Sequence, residues 1–287
     1  MKTYSLIFGC FLWVMLTTNA QVVQQPQTTK AQTNTQTTTT QKPVSQQPAV
    51  NQPVVTTNTQ NTVNTGCVEG NCVNGWGKWQ YDNGYYDGFW ENGKRNGYGL
   101  YSWKTQGTYV GFYKDNVIEG YGSYENTDGL IKRGNYFNGM LNGMGEQVTK
   151  EGVWDQGIYN NHNLTTSLPL NSNNVSEGCI AGDCNGINGG YGQYKWANGD
   201  MFTGFFINGV QYLGSYSFAN GDAYYGFFGN SGQFHGQGRF IYKNGAYYGG
   251  EFRNGQFHGK GYYHDANKKR QIGVWENGKL IEKFIVD

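Results

Sequence analysis

Charge is scarce in this chain. Asp, Glu, Lys and Arg make up 14% of its 287 residues, and 21 basic against 20 acidic side chains leave a formal net charge of +1. That balance excludes the broad basic stripe that nucleic-acid binding needs. So few charged residues also leave little from which to build solvated helix faces, which argues against a helical bundle. Proline is rarer still, and four of the five, Pro26, Pro43, Pro48 and Pro53, precede residue 54. No apolar run approaches the ~20 residues of a membrane-spanning helix. What the chain has in quantity is 45 Gly with 23 Tyr, 16 Phe and 8 Trp. Aromatic residues suit strands and glycines suit the turns between them, so the composition predicts an all-β protein.

The longest apolar run, Leu6 to Leu16, follows Lys2 and precedes the small-residue site Thr18-Asn19-Ala20. This is the pattern of a signal peptide, residues 1–20, cut after Ala20. Cys10 falls within it, and the four remaining cysteines form two equally spaced pairs, CVEGNC and CIAGDC. An even number of cysteines in an exported chain reads first as disulfides, and four allow three connectivities. The duplication favours Cys67 with Cys72 and Cys179 with Cys184. Zinc is the alternative, but it would require the two pairs to meet in space.

Residues 21–66 are a Thr/Gln-rich segment without aromatics, with only Lys30 and Lys42 as charges. Such a composition cannot bury enough apolar surface to offset its ordering entropy and predicts a disordered tether. From Cys67 onward a period appears: Gly88, Gly111 and Gly134 recur every 23 residues, and Gly204, Gly226, Gly249 and Gly273 nearly so. Each unit reads as a β-hairpin. In the first, Tyr86 to Trp90 is a strand, Asn92-Gly93 a tight turn and Gly97-Tyr98-Gly99-Leu100-Tyr101 the start of the returning strand. Repeats this short complete their core with their neighbours. The expected organisation is a first array over 67–160, a polar linker over 161–177, a second array over 178–282 and a tail over 283–287. The linker holds glycosylation sequons at Asn163 and Asn174.

YYGGEFRNGQFHGKGYY at 247–263 and YYGFFGNSGQFHGQGRFIYKNG at 224–245 resemble the MORN (membrane occupation and recognition nexus) repeat, as do YDGFWENGKRNGYG and KRGNYFNGMLNGMGE. The resemblance implies two arrays of β-hairpins forming elongated, twisted, antiparallel single-layer sheets. Phospholipid headgroups are a partner often ascribed to similar proteins. The compact basic candidates for such contacts are Lys94-Arg95 and Lys268-Lys269-Arg270.

No segment is left over for an enzyme domain, and no cofactor or metal signature stands out. The Gly-x-Gly steps lack the Lys-Ser/Thr or strand-to-helix context of a phosphate loop. His235 and His258 occupy equivalent repeat positions, which repeat consensus explains. The aromatic positions that recur once per hairpin, Tyr86, Trp90, Tyr109, Tyr113, Tyr136, Phe206, Tyr225, Phe228, Tyr248 and Phe252, with Trp154 and Trp275, read first as a packed ladder. Their functional reading is an exposed binding face for a protein or glycan partner. The expected function is a non-enzymatic, secreted or envelope-exposed repeat scaffold, with anionic-lipid binding as the alternative.

Overall fold

The computed structural model describes residues 65–187 and 189–284. The expected leader, nearly all of the tether and residues 285–287 of the tail lie outside the described residues. All regular structure among the described residues is β. The first array holds β1 (Gly66–Gly70), β2 (Gly75–Tyr81), β3 (Gly84–Glu91), β4 (Lys94–Trp103) and β5 (Gly107–Lys114). It continues with β6 (Val117–Asn126), β7 (Ile131–Phe137), β8 (Met140–Val148), β9 (Trp154–Asn160) and β10 (Asn163–Ser167). The second holds β11 (Gly178–Gly182), β12 (Gly190–Lys195), β13 (Met201–Ile207), β14 (Val210–Ser217) and β15 (Ala223–Phe228). After these come β16 (Phe234–Ile241), β17 (Tyr247–Arg253), β18 (Gln256–His264), β19 (Arg270–Glu276) and β20 (Lys279–Lys283). Each array is one ten-stranded antiparallel sheet whose strands neighbour one another in chain order.

The repeat consensus follows from one local packing arrangement. Glycines pair across adjacent strands, Gly88 with Gly99 and Gly111 with Gly122. A tyrosine ring lies flat over each pair. The Tyr86 hydroxyl donates to the Phe89 carbonyl at 3.0 Å and the Tyr109 hydroxyl to that of Phe112 at 3.3 Å. A Cβ on Gly122 would sit 2.1 Å from the Tyr109 hydroxyl, so no residue but glycine fits beneath the ring. Tyr224 and Tyr248 repeat the arrangement in the second array.

The hairpin tips are joined by a second periodic contact. The Gly93 N–H donates to the Val73 carbonyl, Asn116 to Arg95, Gly139 to Ile118, Gly255 to Phe234 and Gly278 to Phe257, at 2.9 to 3.0 Å. Each turn thus satisfies a backbone group of its neighbour, which an isolated hairpin would leave to water. The Asn-Gly turns adopt left-handed conformations, with φ 51° at Asn92 and 72° at Gly93.

Both expected disulfides form, Cys67 to Cys72 and Cys179 to Cys184. Each closes the bend between an array's first two strands, beside an unpaired sheet edge.

The described structure extends the first array beyond its expected end at residue 160. β10 lies in the stretch read as linker, because Asn161 and His162 form the hairpin turn at φ 49° and 67° with histidine in the usual glycine position. The connection between arrays is therefore residues 168–177. The second array likewise continues to Lys283, and Phe284 of the expected tail packs on Phe89 at 6.0 Å.

Each array is a single sheet, and the two lie face to face. Trp76, Phe89, Tyr98 and Phe112 of the first form a core cluster with Ile272 of the second, while Tyr121 clusters with Tyr191, Phe205 and Leu213. β2 lies against β19, β4 against β17 and β18, and β6 against β16, so the arrays run in opposite directions. Alternation along the strands is the cause. Residues facing one way build the tyrosine ladder, and those facing the other way are also apolar and need a cover.

Candidate functional site

Three environments contain the groups with functional potential. The first is the ladder face, which each array turns away from the other. Tyr86, Trp90, Tyr109, Tyr113 and Tyr136 of the first array are at most 4% exposed, as are Phe206, Tyr248 and Phe252 of the second; Phe228 is 5% exposed. Their rings meet edge to face, Tyr86 with Tyr113 at 5.0 Å and Tyr109 with Tyr136 at 5.3 Å. They are core, so the expectation that they form an exposed binding face is corrected. Burial pushes the Tyr86 and Tyr109 hydroxyls far above the usual phenol range. Tyr225 is not in the ladder: Tyr224 occupies that place, two residues before Gly226, and Tyr225 faces the other array beneath Arg133 at 5.3 Å. Trp154 is 48% exposed and does not belong to the ladder core.

A second aromatic row flanks the ladder on the same face and is only partly buried. In the first array it includes Trp79, Tyr81, Trp103 and Tyr124, with Tyr101 the most covered. In the second it includes Tyr194, Trp196, Tyr216, Phe240 and Tyr263. Neighbouring rings are 4.4 Å apart at Tyr101 and Trp103 and 4.7 Å apart at Tyr194 and Trp196. The sequence signal is a pair of aromatics two and four residues after the second glycine of Gly-x-Gly, as in GYGLYSW and GYGQYKW.

The second environment is the seam. Arg133 Nη1 donates to Glu146 Oε1 at 2.9 Å, and the Tyr191 hydroxyl donates to Glu146 Oε2 at 2.9 Å from the other array. Burial raises the Glu146 pKa, opposed by Arg133. At the other end Arg270 pairs with Glu69 and lies over the Trp76 ring at 5.1 Å. Arg270 is thus committed to the seam, whereas Lys268 and Lys269 are exposed on the turn before β19. Nearby, burial raises the Asp87 pKa to about 6, outweighing Lys78.

The third environment is a groove between the arrays beside hairpin turns of the first, of about 660 Å³, lined by polar side chains, by glycine backbone and by the aromatic residues Phe112, Tyr113, Tyr136 and Phe137. Among the described residues no cluster of three or more His, Cys, Asp or Glu could hold a metal ion, and no helix is long and apolar enough to cross a membrane.

Among the described residues, flat aromatic rings over paired glycines and stacked Asn-Gly turns define a repeat scaffold. The MORN repeat family model matches residues 86–108, 109–131, 185–201, 224–247 and 248–270, and the chain is a MORN-repeat protein. No curated protein matches it. The two disulfides accord with an oxidising compartment.

Proposed function

We propose that this protein is a non-enzymatic, exported scaffold that binds a protein or glycan partner across its assembled arrays. The observation that carries this reading is the outer aromatic row. Partly buried rings recur from hairpin to hairpin on the face that each array leaves uncovered, backed by the packed ladder. Rings held this way lose little conformational freedom on binding, which favours their use as contacts. The leader pattern and the disulfides support export to the cell surface or beyond.

Retention of residues 21–287 on host envelope material tests the reading. Replacing Trp103 and Trp196 by Ala, at the partly exposed row, is expected to reduce retention several-fold while the fold persists. Unchanged retention, or turnover of a substrate by the wild type, would contradict it.

The alternative, anionic-lipid attachment, draws support from the exposed Lys268 and Lys269. It loses Arg270 to the ion pair with Glu69, and two surface lysines contribute only about 2 kcal/mol together.

A further inference from the structure

The groove between the arrays has a backbone floor and an acidic wall. Gly97, Gly120 and Gly236 lie along it with φ of 100°, 99° and 70°, and a Cβ on Gly120 would collide with the Gln237 carboxamide. Asp115, Glu119 and Glu251 line it against one cation, Lys114. Lys114 lies 3.6 Å from Glu119, and Asp115 lies 3.0 Å from Lys94 on the neighbouring turn. Glu251 has no ion-pair partner among the described residues, and its Oε1 accepts only the Lys260 backbone N–H at 3.3 Å. Phe137, 60% exposed, stands on the rim. At the same place before the turn, other hairpins carry Glu91, Lys114, Asn160, Arg253 and Glu276, and Ile207 is the other apolar residue. The aromatic departure therefore coincides with the groove.

We infer that this groove seats an extended, lysine- or arginine-bearing segment of a protein partner, its cation among Asp115, Glu119 and Glu251 and an adjoining apolar side chain on Phe137. The inference rests on the scaffold reading and selects a protein over a glycan. Charge complementarity decides the choice. Three carboxylates face two lysines, Lys114 paired with Glu119 and Lys94 with Asp115, which leaves Glu251 uncompensated; this net negative charge repels an acidic headgroup, and a neutral sugar gains nothing from it. The volume lies within the ~300–1,000 Å³ range of ligand sites and holds a few side chains rather than a folded domain.

Fluorescence anisotropy of a short labelled peptide alternating Lys and Leu, titrated with residues 21–287, tests this. The wild type is expected to bind, with an affinity that falls as salt rises. Asp115→Asn, Glu119→Gln and Glu251→Gln together are expected to weaken binding about tenfold or more, and Phe137→Ser alone about threefold or more. An unchanged unfolding midpoint will show that the variants are folded. Equal binding by wild type and triple variant, equal binding of a Glu-Leu peptide, or preference for a neutral oligosaccharide that the triple variant loses would each overturn the inference. Envelope retention separates the two readings. If the wild type binds the Lys-Leu peptide but is not retained on envelope material, the groove stands and the scaffold reading falls. If wild type and triple variant are retained equally and neither binds the peptide, the groove falls and the scaffold reading stands.

Discussion

The Tyr191 hydroxyl reaches across from the second array to donate a 2.9 Å hydrogen bond to the Glu146 carboxylate of the first. Counted from each array's first glycine pair, the matching positions are Trp76 and Tyr262, whose rings stack 6.3 Å apart. The same docking geometry is thus filled by a polar contact at one end and an aromatic contact at the other. The two arrays behave as halves of an internal, approximately two-fold dimer.

The Glu146 cluster should therefore hold the arrays together. Arg133→Ala leaves a carboxylate with 13% side-chain exposure without its cation, and a loss of about 3–5 kcal/mol is expected. Tyr191→Phe removes a single hydrogen bond to a charged group and should cost about 1.5–3 kcal/mol. Denaturant unfolding measures both, and near-zero effects would argue against a docked seam.

Glycine substitutions should separate close approach from backbone conformation. Gly122→Ala places a methyl group against the Tyr109 hydroxyl and is expected to destabilise by about 1–3 kcal/mol or more through overpacking. Gly93→Ala meets open space at φ 72° and should cost about 1–2 kcal/mol, from the left-handed backbone alone. Shortening the ring by Tyr109→Ala should partly rescue Gly122→Ala and leave Gly93→Ala unaffected, as a double-mutant cycle would read.

Stability should fall with rising pH in the window that Asp87 sets. Burial, only partly offset by Lys78, raises its pKa from the ordinary 3.8 to about 6. Between those values the folded chain holds a proton that the unfolded chain has released, so this contribution is full below 3.8 and is lost as pH rises through about 6. Asp87→Asn should flatten that part of the curve. An unchanged slope would place the titration elsewhere.

Each disulfide should act as a local staple. Replacing Cys67 and Cys72 together by Ser is expected to cost about 2 kcal/mol for so short a loop. Hydrogen exchange should quicken first in β1 and β2, and a uniform change across both arrays would contradict the staple role.

Much of this was legible in the sequence, for identifiable reasons. Spacing of Gly88, Gly111 and Gly134 exposed the hairpin period, and the duplicated cysteine pairs pointed to local bonds. β10 was missed because His162 stands where a turn glycine is usual. The ladder residue was misplaced by one at Tyr225, since two adjacent tyrosines precede Gly226 and only register separates them. The docking of the arrays had a signal that periodicity alone did not weigh. Trp76, Phe89, Tyr98 and Phe112 sit on the alternate face from the ladder, so the sheet is apolar on both sides. The groove depends on two distant segments meeting and has no local signature.

The most direct test of the scaffold account is co-sedimentation of residues 21–287, kept oxidised, with host envelope material and separately with acidic vesicles at low and high salt. The account predicts retention on the envelope material and none on vesicles at either salt. Retention on vesicles that high salt abolishes, and that Lys268→Ala with Lys269→Ala removes, would contradict it and make the lipid surface the partner.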